Sequence, residues 1–119
     1  MKVTFTDTTG GIVGYMEDGE IKNAGFETLA FYANEEIKDK YYNTLGYIKD
    51  DQILDSQFNM IGMIDEDTIK DKLFEIQAYF SDGVLRDMFY NDKGYINGEL
   101  PREHIVIAVC ILFEIISIL

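Results

Sequence analysis

Few side chains in this sequence have the chemistry of a catalytic centre. There is one histidine, His104, and one cysteine, Cys110. A thiolate and its base must come within hydrogen-bond reach. These two lie six residues apart in a segment that reads as helix, so they point to different faces. His104 is read as a capping or surface histidine, and Cys110, inside an apolar run, as a buried inert thiol. A lone cysteine excludes a disulfide framework and a zinc site built on several thiolates. Gly10-Gly11 and Gly94 lack the spacing and the basic residue of a phosphate-binding loop. Asn91 to Ile96 has a slight look of a calcium loop. With Gly94 at the sixth loop position, the ligand positions fall on Phe89, Asn91, Lys93 and Leu100, and three of these four carry no ligating oxygen. No catalytic residue, metal or cofactor is expected.

What the sequence has in abundance is carboxylate. Asp and Glu number 22 against 10 Lys and Arg, a net charge of -12. This excludes direct nucleic-acid binding, which needs a basic footprint, and attraction to an anionic membrane. Three carboxylates, Asp67, Asp71 and Glu75, recur every four residues. On a helix they would form a row about 6 Å apart, close to the roughly 7 Å phosphate repeat of a DNA strand. Like charges at that spacing weaken a helix, so helix stability does not account for them. Asp50, Asp51 and Asp55 lie just upstream, and Tyr79 is a candidate contact beside the row. The expected partner is a basic nucleic-acid-binding protein, a nuclease or a CRISPR effector.

In size, charge and its tyrosine-rich acidic surface the chain resembles small acidic inhibitors of phages and mobile elements, such as anti-CRISPR, anti-restriction and uracil-glycosylase inhibitor proteins. That resemblance implies nucleic-acid mimicry in the bacterial host cytosol, although no family motif is matched residue by residue. An immunity protein against a basic nuclease toxin would use the same physics. The alternative is a homo-oligomeric structural or adaptor domain, its acidity serving solubility.

The elements that would position these groups read as one domain over residues 1–119 of the α+β class. An N-terminal antiparallel β-meander comes first and helices follow. Lys2 to Thr6 alternates as a half-buried strand. Ile12 to Glu17 and Glu20 to Ala24 flank Asp18-Gly19, the pair a type I′ hairpin turn requires. A third strand is expected to end near Asn34, which would cap a helix running to Leu45. Asp65 to Ser81 predicts a second helix, with Ile69, Leu73, Ile76 and Phe80 on one stripe. Asn91 to Gly94 is read as a turn. No internal repeat and no targeting peptide stand out.

Pro101 opens a final helix. From Ile105 to Leu119 only Glu114 and Ser117 are polar, so that helix has no solvent face. The stretch is shorter than the roughly 20 residues that span hydrocarbon, which argues against a membrane. It is expected to be buried in the fold or in a homodimer, with Ile107, Ile111, Glu114 and Ile118 at the subunit contact. Glu114 would then need a partner or a raised pKa.

Overall fold

The computed structural model describes residues 2–119. Strand follows strand for most of that length: β1 (Lys2–Asp7), β2 (Ile12–Glu17), β3 (Glu20–Asn23), β4 (Thr28–Ala33), β5 (Glu36–Asp39), β6 (Thr44–Lys49), β7 (Gln52–Asp55), β8 (Met60–Asp65), β9 (Thr68–Asp71), β10 (Ile76–Ser81), β11 (Val84–Asp87) and β12 (Asp92–Asn97). Each strand pairs antiparallel with its sequence neighbours, and β1 pairs with β12, so the sheet closes into a twelve-stranded barrel. The only helix among the described residues is α1 (Arg102–Leu112). The α+β expectation is therefore corrected to a nearly all-β fold.

The barrel is built from a repeat of 16 residues. Gly14, Ala30, Gly46, Gly62, Ala78 and Gly94 take the third place in six successive long strands, each 16 residues after the last. Five units run in sequence from residue 12 to residue 91. The sixth is made of β12 and β1, from opposite ends of the chain. Within a unit, a six-residue strand turns through two residues into a four-residue strand, and a longer loop leads to the next unit. Asp18-Gly19, Asn34-Glu35, Asp50-Asp51 and Asp82-Gly83 have positive φ at both positions, as type I′ turns require. The carbonyl of each second turn residue accepts from the next unit, for example Tyr32 N–H to Gly19 O at 2.7 Å and Ile48 N–H to Glu35 O at 2.9 Å.

Two expected helices are thus absent. Asn34 begins a hairpin turn instead of capping a helix, because a left-handed residue suits asparagine as well as an N-cap does. The expected Asp65–Ser81 helix is the end of β8, β9, a loop and β10. Ile69, Ile76 and Phe80 keep helix-like spacing because a short strand, a loop and a long strand set inward residues a few positions apart.

Alternate residues of every strand face inward. Val3, Phe5, Met16, Ile21, Ile37, Ile48, Ile53, Ile64, Ile69, Leu85 and Ile96 form one core with Val106 to Ile111 of α1. Eight strands can be filled by their own side chains. Twelve enclose more space, and α1 occupies it. The helix has 11 residues, about 16 Å at 1.5 Å per residue, and the molecule is 20 Å thick along its shortest axis. A helix without a polar face is accounted for by this burial. It is shorter than the sequence suggests: the chain leaves it after Leu112, and Glu114 is left-handed at φ 56°. No helix among the described residues is long and apolar enough to cross a membrane.

Gly46 shows how tight the wall is. A Cβ there would stand 2.1 Å from the Leu54 carbonyl oxygen, well inside any real contact. Ala30 and Ala78 are accommodated at the same place in their own units, fully buried.

Candidate binding surfaces

Strict up-and-down order sends all the two-residue turns to one end of the barrel and all the longer loops to the other. The two ends differ in chemistry.

The hairpin end is acidic. Its turns present Asp18, Glu35, Asp50, Asp51, Glu66, Asp67 and Asp82. The connection from β12 to α1 crosses this end, so the first turn of the helix lies among the carboxylates. Arg102 makes an ion pair with Asp51 and donates through Nη1 to the Glu66 carbonyl at 3.4 Å. Beside it opens a cleft of about 370 Å³ lined by Tyr32, Glu35, Ile48, Asp50, Asp51, Pro101, Glu103 and His104. His104 sits edge-on to Tyr32 with ring centroids 4.9 Å apart. Burial, then the nearby Glu103 and Glu35 charges, push the Tyr32 hydroxyl up to about 12, so it stays protonated at neutral pH.

The loop end is aromatic, and its geometry repeats. The last residue of four short strands, Asp39, Asp55, Asp71 or Asp87, folds its carboxylate over the loop, and Asn23 at the end of β3 accepts there from the Glu27 N–H at 2.9 Å. In the first unit of this series Asp39 Oδ1 accepts from the N–H of Tyr41 and of Asn43, both at 2.9 Å; Asp55, Asp71 and Asp87 do the same with their own loops. Asp7 repeats the turn in the composite unit, accepting from Thr9 and Gly11. Such side chain–backbone bonds are why Asp favours turns. Hydrogen bonds hold three of these carboxyls below the ordinary 3.8: for Asp7 the Thr9 hydroxyl contributes most, for Asp39 the Asn43 N–H and for Asp55 the Asn59 N–H.

Three residues after that Asp or Asn comes an aromatic ring in left-handed conformation: Phe26, Tyr42, Phe58, Phe74 or Tyr90, with φ between 65° and 70°. Bulky residues adopt this region rarely, and Gly10 takes the place in the composite unit. The rings are held by packing on the outer wall. Tyr47 and Phe58 stack at 4.5 Å, and Tyr15–Phe26, Phe31–Tyr42 and Tyr79–Tyr90 meet edge to face at 4.8 to 5.4 Å. Lys22 and Lys38 each lie 3.9 Å from a ring centroid, and Arg86 lies 4.7 Å from that of Tyr90. The large hydrophobics that stay exposed lie in these loops, at Ile12 or at Leu119.

The carboxylate row does not survive the fold. Asp67 sits in the β8–β9 turn at the hairpin end, with Asp50 and Asp51. Asp55, Asp71 and Glu75 lie at the loop end, and Tyr79 is on the outer wall between them. Asp71 is engaged by its own loop, accepting from Leu73, Glu75 and the Gln77 side chain. Of the residues expected at a subunit contact, Ile107 and Ile111 are buried in their own barrel, whereas Glu114 is exposed and Ile118 half-buried. Cys110 is 1% exposed, and burial pushes its thiol up to about 12.

Tyr32, Glu35 and Glu103 do not stand out in the sequence as site residues. Their signal is the repeat. At the fifth place of the long strand the other units carry Met16, Ile48, Ile64, Phe80 and Ile96, and only Tyr32 brings a hydroxyl.

These features define a helix-plugged barrel of 16-residue β-units. Residues 32–105, more than half of the chain, match the family described as 5-fold beta-flower protein, and the chain belongs to that family. No curated protein and no solved structure matches it.

Proposed function

We propose that the protein is a non-enzymatic binding module that docks a basic protein surface on its acidic hairpin end. Where that surface is a nucleic-acid channel, docking blocks the channel and the protein acts as an inhibitor. The carrying observation is the collection of turn carboxylates on one end of a rigid barrel. The plugged lumen supports it, because a barrel filled by α1 has no interior cup and meets other molecules through its surface. Complementary charge of this kind steers association and sets partner choice. The helical spacing that suggested phosphate mimicry is not part of the proposal.

The test neutralises the end without changing the turns. Asp50→Asn, Asp67→Asn and Asp82→Asn keep residues that tolerate left-handed backbone. With nucleic-acid-processing enzymes as partners and their nucleic acid as competitor, the triple variant is expected to lose at least tenfold in affinity and much of its salt dependence. Binding unchanged by the triple variant defeats the proposal.

Self-association is proposed for the loop end. Seven aromatic rings of the loops are between 48% and 77% exposed; at roughly 200 Å² per ring they offer about 900 Å², against the roughly 800 Å² each partner gives a standard interface. Light scattering should find a dimer that Leu73→Ser with Phe89→Ser returns to monomer. A monomeric parent defeats this part.

A further inference from the structure

The cleft at the first turn of α1 is more than a part of an acidic surface. The side chains of Glu35, Asp50 and Glu103 make no hydrogen bond or ion pair with any described residue, whereas their neighbour Asp51 is already held by Arg102. Tyr32 is 5% exposed and lines the cleft, yet its hydroxyl has no hydrogen-bond partner among the described residues. With the rest of the residue buried, that hydroxyl keeps its accessible surface on the cleft, so it is held in place and open to a ligand that enters there. Glu35 and Asp51 also stand, at φ 66° and 62°, where two other hairpins have Gly19 and Gly83. Asp67 takes that place in a further hairpin, away from the cleft, so the departure confined to the cleft is Tyr32, the one hydroxyl at a position that is apolar in every other unit.

The ligand class follows from the lining. Carboxylates around an apolar floor of Ile48 and Pro101 call for a cation with an apolar stem. A bare metal ion does not fit: among the described residues no three acidic, histidine or cysteine side chains converge closely enough to hold one. Spread acceptors suit the five donors of a planar guanidinium better than a compact ammonium. Arg102 already satisfies one carboxylate and one carbonyl of this end in that way.

We propose that the cleft between Tyr32, Glu35, Asp50, Glu103 and His104 is an anchor site for one arginine side chain of the basic partner. The site rests on the binding proposed for the hairpin end and names its central contact. The stem lies against Ile48 and Pro101, the guanidinium donates to the free carboxylates, and the Tyr32 hydroxyl completes the site.

Nα-acetylargininamide is the probe and nuclear magnetic resonance the readout. His104 is the only histidine, so its imidazole signals report this cleft without ambiguity. Titration should give saturable shifts of the His104 ring with a dissociation constant on the order of 1 mM. Tyr32→Phe keeps the ring and removes the hydroxyl; it should weaken binding at least threefold. Glu35→Gln with Asp50→Asn should weaken it about tenfold. Asp82→Asn, on a distant turn, should leave it unchanged. Nα-acetyl-lysinamide should bind at least threefold more weakly. Linear, unsaturable shifts, an equal loss from Asp82→Asn, or equal binding of the lysine probe would overturn the assignment. Polyarginine separates the two proposals. If the amide saturates the cleft but polyarginine binding ignores Asp67→Asn with Asp82→Asn, two turns outside the cleft, the acidic end is not a docking surface while the cleft stands. If polyarginine needs the turns and the amide never saturates, the cleft falls alone.

Discussion

The two ends of this barrel solve the same backbone problem in opposite ways. Both reverse the chain mostly through left-handed residues other than glycine, and each such residue carries strain. At the loop end the strain is offset locally, because every left-handed aromatic ring belongs to a unit whose outer wall it can cover, and four of the five are seen against a partner ring. At the hairpin end Glu35 has no such return: its side chain is exposed and bonded to nothing described. Strain compensated by packing marks a structural device. Strain left without such packing at Glu35, beside an open cleft, is what the proposed arginine site would turn to use.

Several substitutions would break or sharpen this contrast. The largest effect is expected where both ends depend on one plug. Ile111→Asp places an unpaired charge inside the barrel and should cost about 4 kcal/mol, read as loss of a cooperative thermal melt. A variant melting within a few degrees of the parent would mean that α1 does not fill the lumen. Next comes Gly46→Ala, whose Cβ meets the Leu54 carbonyl oxygen at 2.1 Å. Overpacking of this kind should cost about 3 kcal/mol by denaturant titration, although Ala30 and Ala78 are native at the equivalent place.

The third test sets the ends directly against each other. Phe58→Gly removes left-handed strain but also the stack on Tyr47, and a net loss of about 1 kcal/mol is expected. Glu35→Gly removes the same strain and no contact, so it should gain about 1 kcal/mol. Losses at both sites would mean that the Glu35 side chain supports the fold just as the Phe58 ring does. Of the two, only Glu35→Gly should impair binding at the cleft.

The smallest effect is acid sensitivity confined to the loop end. Asp7, Asp39 and Asp55 are more acidic in the folded chain than the ordinary 3.8. A depressed folded pKa means that their contribution is complete above the unfolded value and is lost as pH falls through the folded one. Amide exchange at Tyr41, Asn43, Gln57 and Asn59 should therefore quicken below pH 3.8 before the hairpin turns loosen. Asp39→Asn should remove that pH dependence from its own loop and from no other. Uniform loosening at both ends would show that these carboxylates do not act locally.

Much of the local structure was legible in the residues. Asp18-Gly19 specified a type I′ turn because few pairs accept positive φ twice, and Pro101 marked the start of α1 because its missing N–H costs nothing there. The absence of a polar face in the last helix required burial on all sides. Other parts were ambiguous in principle. Asn34 serves a cap and a left-handed turn equally well, and the inward residues of β9 and β10 imitate a helical stripe. The 16-residue period settles both, and it is written in the recurring Asp, aromatic and Gly or Ala positions, but it becomes conspicuous only once strands are assigned. Only the tertiary structure decided what covers the apolar helix and which carboxylates share a surface. Closure of the barrel brings Tyr32, Asp50 and Glu103 to one cleft across a long stretch of chain, and it parts Asp67 from Asp71, four residues away. A strand carries its two ends to opposite faces, so nearness in sequence and nearness in space separate here for a geometric reason.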